Sequence, residues 1–174
     1  INTKIWWMQK MSRINYTEEI NSLYEVIGVT EDPDLQEVLL GNMAELELRH
    51  SIASCQKCAL HSQCTLPVPF SGTPDSLSRG FSILGLGEAP GAEDDKQGEP
   101  FTAASGQLLG RTLKAVGLHI DGLANVVSCH SSKVPTRNET IACRPNLAAQ
   151  IKHFNPWLTI CFGAAPLAAM RKDL

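Results

Sequence analysis

The chain has 174 residues, of which 43% are hydrophobic and 19% charged, a composition typical of one soluble globular domain. Its 15 basic and 18 acidic side chains give a formal net charge of −3. Proteins that bind nucleic acid by neutralising many phosphates are usually more basic, so any such contact is expected to be local. No apolar run approaches the roughly 20 residues that cross a bilayer, and the start lacks a secretory pattern. We therefore expect a cytoplasmic protein without membrane contact.

An N-terminal helical extension is predicted over residues 1–53. Its first helix is predicted at residues 17–27, and a second runs from Pro33 to about residue 52. Asp32 suits the N-cap of that second helix, and proline suits the first helical position. Residues 1–10 show no pattern that indicates a role.

The remainder, residues 54–174, is predicted to form one α/β domain, a three-layer sandwich with a short parallel central sheet. Short apolar runs predict buried strands, and segments with helical periodicity follow them. Strands that alternate with helices pair in parallel. The predicted strands are residues 81–86, 124–129 and 158–162, and the predicted helices are residues 105–116, 136 to about 154 with an interruption at Pro145, and 164–170.

Six cysteines are many for an intracellular domain and favour a metal site over disulfides. Cys55 and Cys58 form a C-x-x-C knuckle in residues 54–80, a stretch with too little periodicity for regular structure. Cys129 ends a predicted strand, and Cys143 lies in the helix that follows it. By ligand count, four thiolates suit a zinc ion and a four-iron cluster equally well.

Two further cysteines are not needed for a site with four ligands. Cys161 lies in the apolar run LTICFG, where a buried thiol acts as a small hydrophobic side chain. Cys64 is either a fifth candidate ligand or a bystander.

The segment after the first predicted strand resembles the first motif of the family 4 uracil-DNA glycosylases. It contains GEAPG at 87–91, EDDKQGEPF at 93–101 and SGQLL at 105–109. CQKCAL at 55–60 resembles the N-terminal knuckle of that family, NVVSC at 125–129 its asparagine-and-cysteine strand, and ACRP at 142–145 its last ligand. Residues 158–165 resemble the strand and turn that follow. The ordered match covers residues 55–170.

The resemblance implies a [4Fe–4S] cluster that fixes loops near DNA. In this sequence its ligands would be Cys55, Cys58, Cys129 and Cys143. The ligand count leaves the choice between zinc and iron open, and the resemblance favours iron.

The resemblance also implies a pocket for a uracil that has left the base stack. Phe101 stands at the stacking position, and Asn125 stands where an amide reads the pyrimidine edge. Gly87 is the third implied binding residue. Glu88 and Asn125 are the implied catalytic residues, with Glu88 orienting a water or stabilising the cationic sugar. Outside this ordered context, Phe101 would be taken for core, Asn125 for a cap or turn residue, and the acidic run at 93–95 for a solvated loop.

Several positions depart from the family pattern. Thr102 and Ala103 stand where a valine–glycine pair is usual, and the run HSSK at 130–133 stands where an arginine and prolines are usual. The histidine–proline turn on a fourth strand, the second catalytic motif of the family, has no counterpart after residue 162. The domain at 54–174 is therefore expected to lack that strand and motif, and its catalysis to be weaker than the resemblance suggests.

The favoured hypothesis is a glycosylase that hydrolyses the N-glycosidic bond of deoxyuridine in DNA, including single-stranded DNA. The alternative is a catalytically degenerate iron–sulfur module that binds DNA or acts as a scaffold in a replication or viral assembly. A zinc-stabilised α/β domain unrelated to DNA would require the ordered match to be accidental. Residues 158–162 are predicted to be buried on both faces although they form an edge, so a protein partner or a longer chain is expected to cover that strand.

Overall fold

The computed structural model describes residues 15–74 and 80–171. Residues 1–14 of the predicted extension, residues 75–79 of the predicted loop and the last three residues of the predicted domain lie outside the described part. Within it, the predicted α/β class is confirmed, with a four-stranded sheet. No helix in the two described ranges is long and apolar enough to cross a membrane.

Two helices precede the sheet, α1 (Tyr16–Val29) and α2 (Pro33–Ala53). Asp32 caps α2 as predicted, because its Oδ1 accepts the N–H of Asp34 at 3.0 Å and that of Leu35 at 3.3 Å. The two helices pack against each other, and α1 buries none of its residues. The pair is therefore joined to the rest of the fold through the C-terminal half of α2.

Arg49 makes that connection from a position that is only 5% exposed. Its guanidinium donates to the carbonyls of Phe70 at 2.6 Å and Gly72 at 3.3 Å, and it lies 4.2 Å from the centre of the Phe70 ring. It also pairs with Glu45 at 2.8 Å, and His153 approaches the other Glu45 oxygen at 3.5 Å. Burial alone would raise the pKa of Glu45, but His153 and Arg49 together lower it.

The sheet has the strand order β1-β3-β2-β4, with β2 in the interior. β2 pairs in parallel with β3 and β4, whereas β1 is antiparallel to β3. The strands are β1 (Ser71–Gly72), β2 (Ile83–Gly87), β3 (Gly122–Asn125) and β4 (Leu158–Cys161).

Two predictions about the strands are corrected. β1 lies in the stretch predicted to lack regular structure, because a two-residue strand that ends in Gly72, at a φ of 82°, has no detectable periodicity. The strand predicted at 124–129 begins at Gly122 and ends at Asn125. Beyond it, the N–H groups of Val126 and Val127 bond the carbonyls of Gly87 and Glu88, at 2.9 and 3.0 Å.

The helices after β2 are α3 (Ala92–Gln97), α4 (Ala104–Ala115), α5 (Arg137–Phe154) and α6 (Ala164–Arg171), and a 3-10 turn (Ala59–Ser62) precedes the sheet. A capping box begins α5, with Thr136 and Glu139 exchanging hydrogen bonds of 2.7 and 3.4 Å. The predicted interruption at Pro145 is wrong, because α5 runs through it. Residues on both sides of Pro145 pack into the core and hold the helix together, although proline removes one backbone donor.

Successive residues of β2 face opposite sides of the sheet. On one side, Leu84 and Leu86 join the core with side chains of α5 and α6. On the other side, the space next to Gly85 is filled by Leu123 and Phe162. This second side leads to the loop that carries the candidate pocket.

β4 is an edge strand within the described residues, as predicted. Its predicted burial on both faces is wrong, because Leu158 is 40% exposed and the three residues after it are only half-buried. A strand at the edge of a sheet has one side without a neighbouring strand, and its apolar side chains are covered less well there.

Candidate functional site

The carboxyl ends of β2 and β3 meet at the same edge of the sheet, where Gly87 and Asn125 are register partners. Asn125 is only 6% exposed. A Cβ placed on Gly87 would lie 2.6 Å from Cζ of Phe101 and would collide with Oδ1 of Asn125. The structure therefore brings together the three residues predicted to bind a base, and the Phe101 ring and the Asn125 amide can lie this close to residue 87 only because it is glycine.

Phe101 is held in a backbone conformation that aromatic residues rarely adopt, with a φ of 61°. Its ring is half-buried and meets Phe162 edge-on at a centroid distance of 5.7 Å. Gly106, in the first turn of α4, approaches the backbone of Phe101 so closely that any Cβ would collide with its carbonyl. Strained backbone of this kind persists where its surroundings over-determine it, and it is concentrated at functional sites.

Asp94 holds the loop in this shape. Its Oδ1 accepts the N–H of Thr102 at 2.7 Å and the hydroxyl of Thr102 at 2.6 Å, and its Oδ2 accepts the N–H of Gly91 at 3.0 Å. The side chain is buried, with 7% exposure. Thr102, a departure from the family pattern, thus gives the carboxylate an additional donor next to Phe101.

Asp95 links the same loop to the cysteine-rich stretch. Its carboxylate accepts the N–H of Thr65 at 2.9 Å and the hydroxyl of Thr65 at 2.7 Å. The reading of residues 93–95 as a solvated loop, which their composition alone suggests, is wrong for Asp94 and Asp95. Both are buried in α3, because each carboxylate has donors outside that helix to satisfy it.

Glu88 lies beside this group of residues and faces a cavity of about 360 Å³. Val126 and the arginines Arg137 and Arg144 of α5 line the same cavity, together with alanines of α6. Neither Phe101 nor Asn125 is among its lining residues in the described part of the chain. Glu88 therefore follows Gly87 directly in the sequence, but the cavity that it lines is not the space around Phe101 and Asn125.

His130 follows Cys129 and begins the run HSSK, which departs from the family pattern. Its Nδ1 lies 2.9 Å from the carbonyl of Pro90, in the turn after β2. Because a carbonyl only accepts, this contact requires the proton on Nδ1. The ring therefore supports the turn after Glu88 from the cysteine side.

The predicted ligands lie in one region, with Cys129 and Cys143 buried in the core. Cys143 Sγ accepts the N–H of Ser128 at 3.4 Å. Burial raises the pKa of the Cys143 thiol, the N–H of Ser128 lowers it, and the nearby Cys58 and Cys55 raise it further. The thiols of the knuckle therefore lie close enough to Cys143 on α5 to affect its pKa.

Cys64 and Cys129 extend this group. Burial raises the pKa of the Cys129 thiol strongly, and Cys64, Cys143 and Cys58 add to the effect. Burial also raises the pKa of Cys64, while a hydrogen bond with Cys129 lowers it. Cys64 thus lies beside a predicted ligand, whereas the pKa of Cys161 is raised by burial alone.

The donor set can be compared with the two metal sites that four thiolates allow. Among residues 15–74 and 80–171, no group of three or more histidine, cysteine or acidic residues is arranged to hold a metal ion. One zinc ion with Zn–S bonds of about 2.3 Å needs its four sulfurs close together. A four-iron cluster accepts thiolates further apart, because each binds a different iron.

The match to a known protein family extends over residues before and after β2. The profile described as the Uracil DNA glycosylase superfamily matches residues 74–173, more than half of the chain. The chain belongs to this superfamily. A Type-4 uracil-DNA glycosylase of Archaeoglobus fulgidus is 34% identical over 121 residues, which cover 67% of this chain and 58% of that protein.

Two further relatives in this superfamily give the same result. The Type-4 uracil-DNA glycosylase of Pyrobaculum aerophilum is 36% identical over 128 residues, or 71% of this chain and 63% of the relative. That of Thermotoga maritima is 35% identical over 121 residues, or 67% and 60%. The chain spans less than two thirds of the length of these uracil-DNA glycosylases.

Sequence reasoning missed two contributors to the site of this superfamily member. One is Asp94, whose signal was its position three residues after Gly91, the spacing at which a carboxylate caps a short helix. The other is the contact of Lys57 with Asn146, at 3.2 Å, which joins the knuckle to α5. A contact across 89 residues leaves no local pattern in the sequence.

Proposed function

We propose that the protein is a uracil-DNA glycosylase that hydrolyses the N-glycosidic bond of deoxyuridine in DNA and acts in base excision repair inside the cell. The observation that carries the proposal is the convergence of Gly87, Phe101 and Asn125 at the carboxyl end of the sheet. Three relatives that are 34% to 36% identical to this chain over the aligned residues carry the printed name of that enzyme. This similarity favours the enzyme over the non-catalytic module.

The three residues can select a pyrimidine that has left the stack. The Phe101 ring offers a face on which a flipped base stacks, and such stacking is worth about 1–3 kcal/mol. The Asn125 side chain, 6% exposed, has both a donor and an acceptor for the base edge. Gly87 has no side chain and so lets the ring and the amide lie close together, which would allow one base to contact both.

Glu88 is proposed to act at the sugar, one residue beyond Gly87. A carboxylate there can orient the attacking water or stabilise the positive charge that develops on the sugar as the bond breaks. Arg137 and Arg144, which line the same cavity, would bind DNA phosphates locally. Such local contacts are compatible with a net charge of −3.

The proposed cofactor is a [4Fe–4S] cluster held by Cys55, Cys58, Cys129 and Cys143. The neighbouring thiols and the N–H of Ser128 directed at Cys143 support this ligand set. When bound, the cluster would cross-link the knuckle, the segment after β3 and α5. It would fix the loops near the DNA.

Uracil release tests the function. The wild-type protein should free uracil from oligonucleotides with one deoxyuridine, single-stranded and duplex. Phe101→Ala should lose roughly tenfold to hundredfold in rate through lost stacking, and Asn125→Ala should also lose discrimination between bases. Phe81→Ala, a change at an aromatic residue that contacts Trp157 at 5.8 Å, is the matched control and should keep the wild-type rate. No release by the wild type, or wild-type rates in both pocket variants, would contradict the proposal.

Colour and metal content test the cofactor. Protein prepared without air should be brown and should contain iron and sulfide. Serine at any of the four proposed ligands should remove the cluster, whereas Cys161→Ser should keep it, because Cys161 lies on β4. A colourless protein with stoichiometric zinc would exclude the cluster.

A further inference from the structure

Lys57 stands between the two cysteines of the knuckle, and its ammonium group donates to Oδ1 of Asn146 at 3.2 Å. Asn146 lies on α5 three residues after Cys143, so the two side chains share one face of the helix. Asn146 is only 5% exposed. The knuckle and the last proposed ligand are therefore joined by a buried amide.

The orientation of that amide is fixed by its partner. A lysine ammonium has donors and no acceptor, so the oxygen of the amide, and not its nitrogen, must face Lys57. The Nδ2 group of Asn146 consequently points to another neighbour. It is buried, and it has no hydrogen-bond partner among the described residues.

A buried donor without an acceptor costs about 1–3 kcal/mol, and native structures contain few of them. The Asn146 carbonyl does not relieve this cost, because it is an acceptor already bonded to Gln150 at 3.1 Å. Asn146 is joined to the knuckle through Lys57 and lies one helical turn after Cys143, so a sulfur held by these cysteines is a candidate for the missing acceptor. Thiolate and sulfide sulfurs accept N–H donors there, whereas a neutral thiol accepts only weakly.

We propose that Nδ2 of Asn146 donates a hydrogen bond to a sulfur of the iron–sulfur centre, with Lys57 orienting the amide; this inference rests on the proposed cluster. Asn146 is thus a positioning residue and not a ligand. Hydrogen bonds to cluster sulfurs are among the factors that set a reduction potential. A donor stabilises the more negative, reduced form and raises the potential, and the Lys57 charge acts in the same direction.

The first experiment compares variants of the loaded protein. Asn146→Leu keeps a similar volume but removes the donor, and it should lower the reduction potential of the cluster. Loss of iron to a chelator should become faster by on the order of tenfold, as is typical when partners of metal ligands are removed. Asn138→Leu, an exposed change in the first turn of the same helix, is the matched control and should leave both quantities unchanged.

The second experiment separates a direct bond from an effect through Lys57. Lys57→Met should lower the potential by itself, and Asn146→Leu should lower it further in that background. In wild-type protein with ¹⁵N-labelled asparagine, pulsed EPR of the reduced cluster should show coupling to a side-chain amide nitrogen. This measurement needs no variant to fold.

The outcomes distinguish the inference from the cofactor proposal. Wild-type protein without iron would refute the cluster itself. A loaded wild type without the nitrogen coupling would overturn the role of Asn146. Unchanged potential and iron loss in Asn146→Leu would overturn it as well.

Discussion

Between Gly91 and Thr102 the loop after β2 buries two carboxylates and satisfies both, whereas the outer side of β4 leaves apolar side chains partly exposed. Asp94 alone accepts three hydrogen bonds of 2.6 to 3.0 Å from Thr102 and Gly91. Leu158 on β4 is 40% exposed, and Leu167 on α6 is 51% exposed. Both regions lie on strands that pair with β2 or on loops that follow it.

The difference shows which part of the sheet is self-contained. In the loop, every partner that fixes Phe101 belongs to the described residues, so its strained φ of 61° is maintained locally. At β4, the described residues provide the pairing with β2 but no cover for the other side. Changes in the loop should therefore affect function directly, and changes at the edge should affect association.

The largest effect is expected from Gly87→Ala. The new methyl would meet the Phe101 ring at 2.6 Å and collide with Asn125, so the pocket would be displaced. We expect uracil release to fall by about a hundredfold or more, the scale of a misplacement of about 1 Å at an active site. Gly91→Ala is the matched control in the same loop, because its methyl would lie 3.6 Å from Asp94, an ordinary contact. Equal activity of the two variants would show that the pocket lies elsewhere.

Asp94→Ala should have the next largest effect, on stability as well as rate. It leaves the N–H groups of Gly91 and Thr102 without their acceptor, and we expect a loss of about 2 kcal/mol in the free energy of unfolding. Because Phe101 loses its support, uracil release should fall more than this loss of stability explains. Urea unfolding and release assays measure the two effects, with the exposed neighbour Glu93→Ala as control. A variant that loses stability but keeps its rate of uracil release would show that Asp94 does not support the pocket.

The same loop shows how far the sequence predicts the structure. The grouping of Gly87, Phe101 and Asn125 was implied by the resemblance to the family, and the structure brings these residues together. The buried state of Asp94 was not, since carboxylates in an acidic run are usually solvated and its partners are set by tertiary contacts. The hydrogen bond between Lys57 and Asn146 could not be predicted from the sequence for the same reason.

The strands show a similar limit. Apolar runs predicted β2 and β4 to within two residues, because burial in a parallel sheet requires such runs. β1 was missed, since two residues form no pattern. The end of β3 was placed too late, because residues 126–129 are as apolar and as buried as the strand before them.

Glu45→Gln should lower stability by a smaller amount and leave the loop intact, since Glu45 lies on α2. Its pKa is lowered in the folded protein, so the carboxylate stabilises the fold above the ordinary glutamate pKa, and this contribution is lost as the pH falls through the lowered value. At neutral pH the variant should lose about 1.5 kcal/mol, because hydrogen bonds to charged groups weaken. The difference from wild type should shrink towards about pH 3.

Urea unfolding at both pH values measures this difference, and Glu37→Gln, an exposed change on the same helix, is the control. Uracil release by Glu45→Gln should match wild type under conditions where it is folded. A slower release at full folding would mean that α2 influences the pocket, and that the loop is not self-contained.

The smallest change in stability is expected at the edge, from Leu158→Lys. Leu158 is 40% exposed, so the free energy of unfolding of the isolated chain should change by less than about 0.5 kcal/mol.

We predict nevertheless that a protein partner or a longer chain covers β4 in the working state, because an uncovered apolar edge favours pairing with another strand. Leu158→Lys should then weaken that association in sedimentation experiments, whereas Val29→Lys, at a residue of α1 that is 80% exposed, should not. Amide exchange should be slow across residues 158–162 when the strand is covered. A monodisperse monomer with fast amide exchange at residues 158–162 would show that β4 needs no covering strand. The loop after β2 and the β4 edge would then differ only in composition.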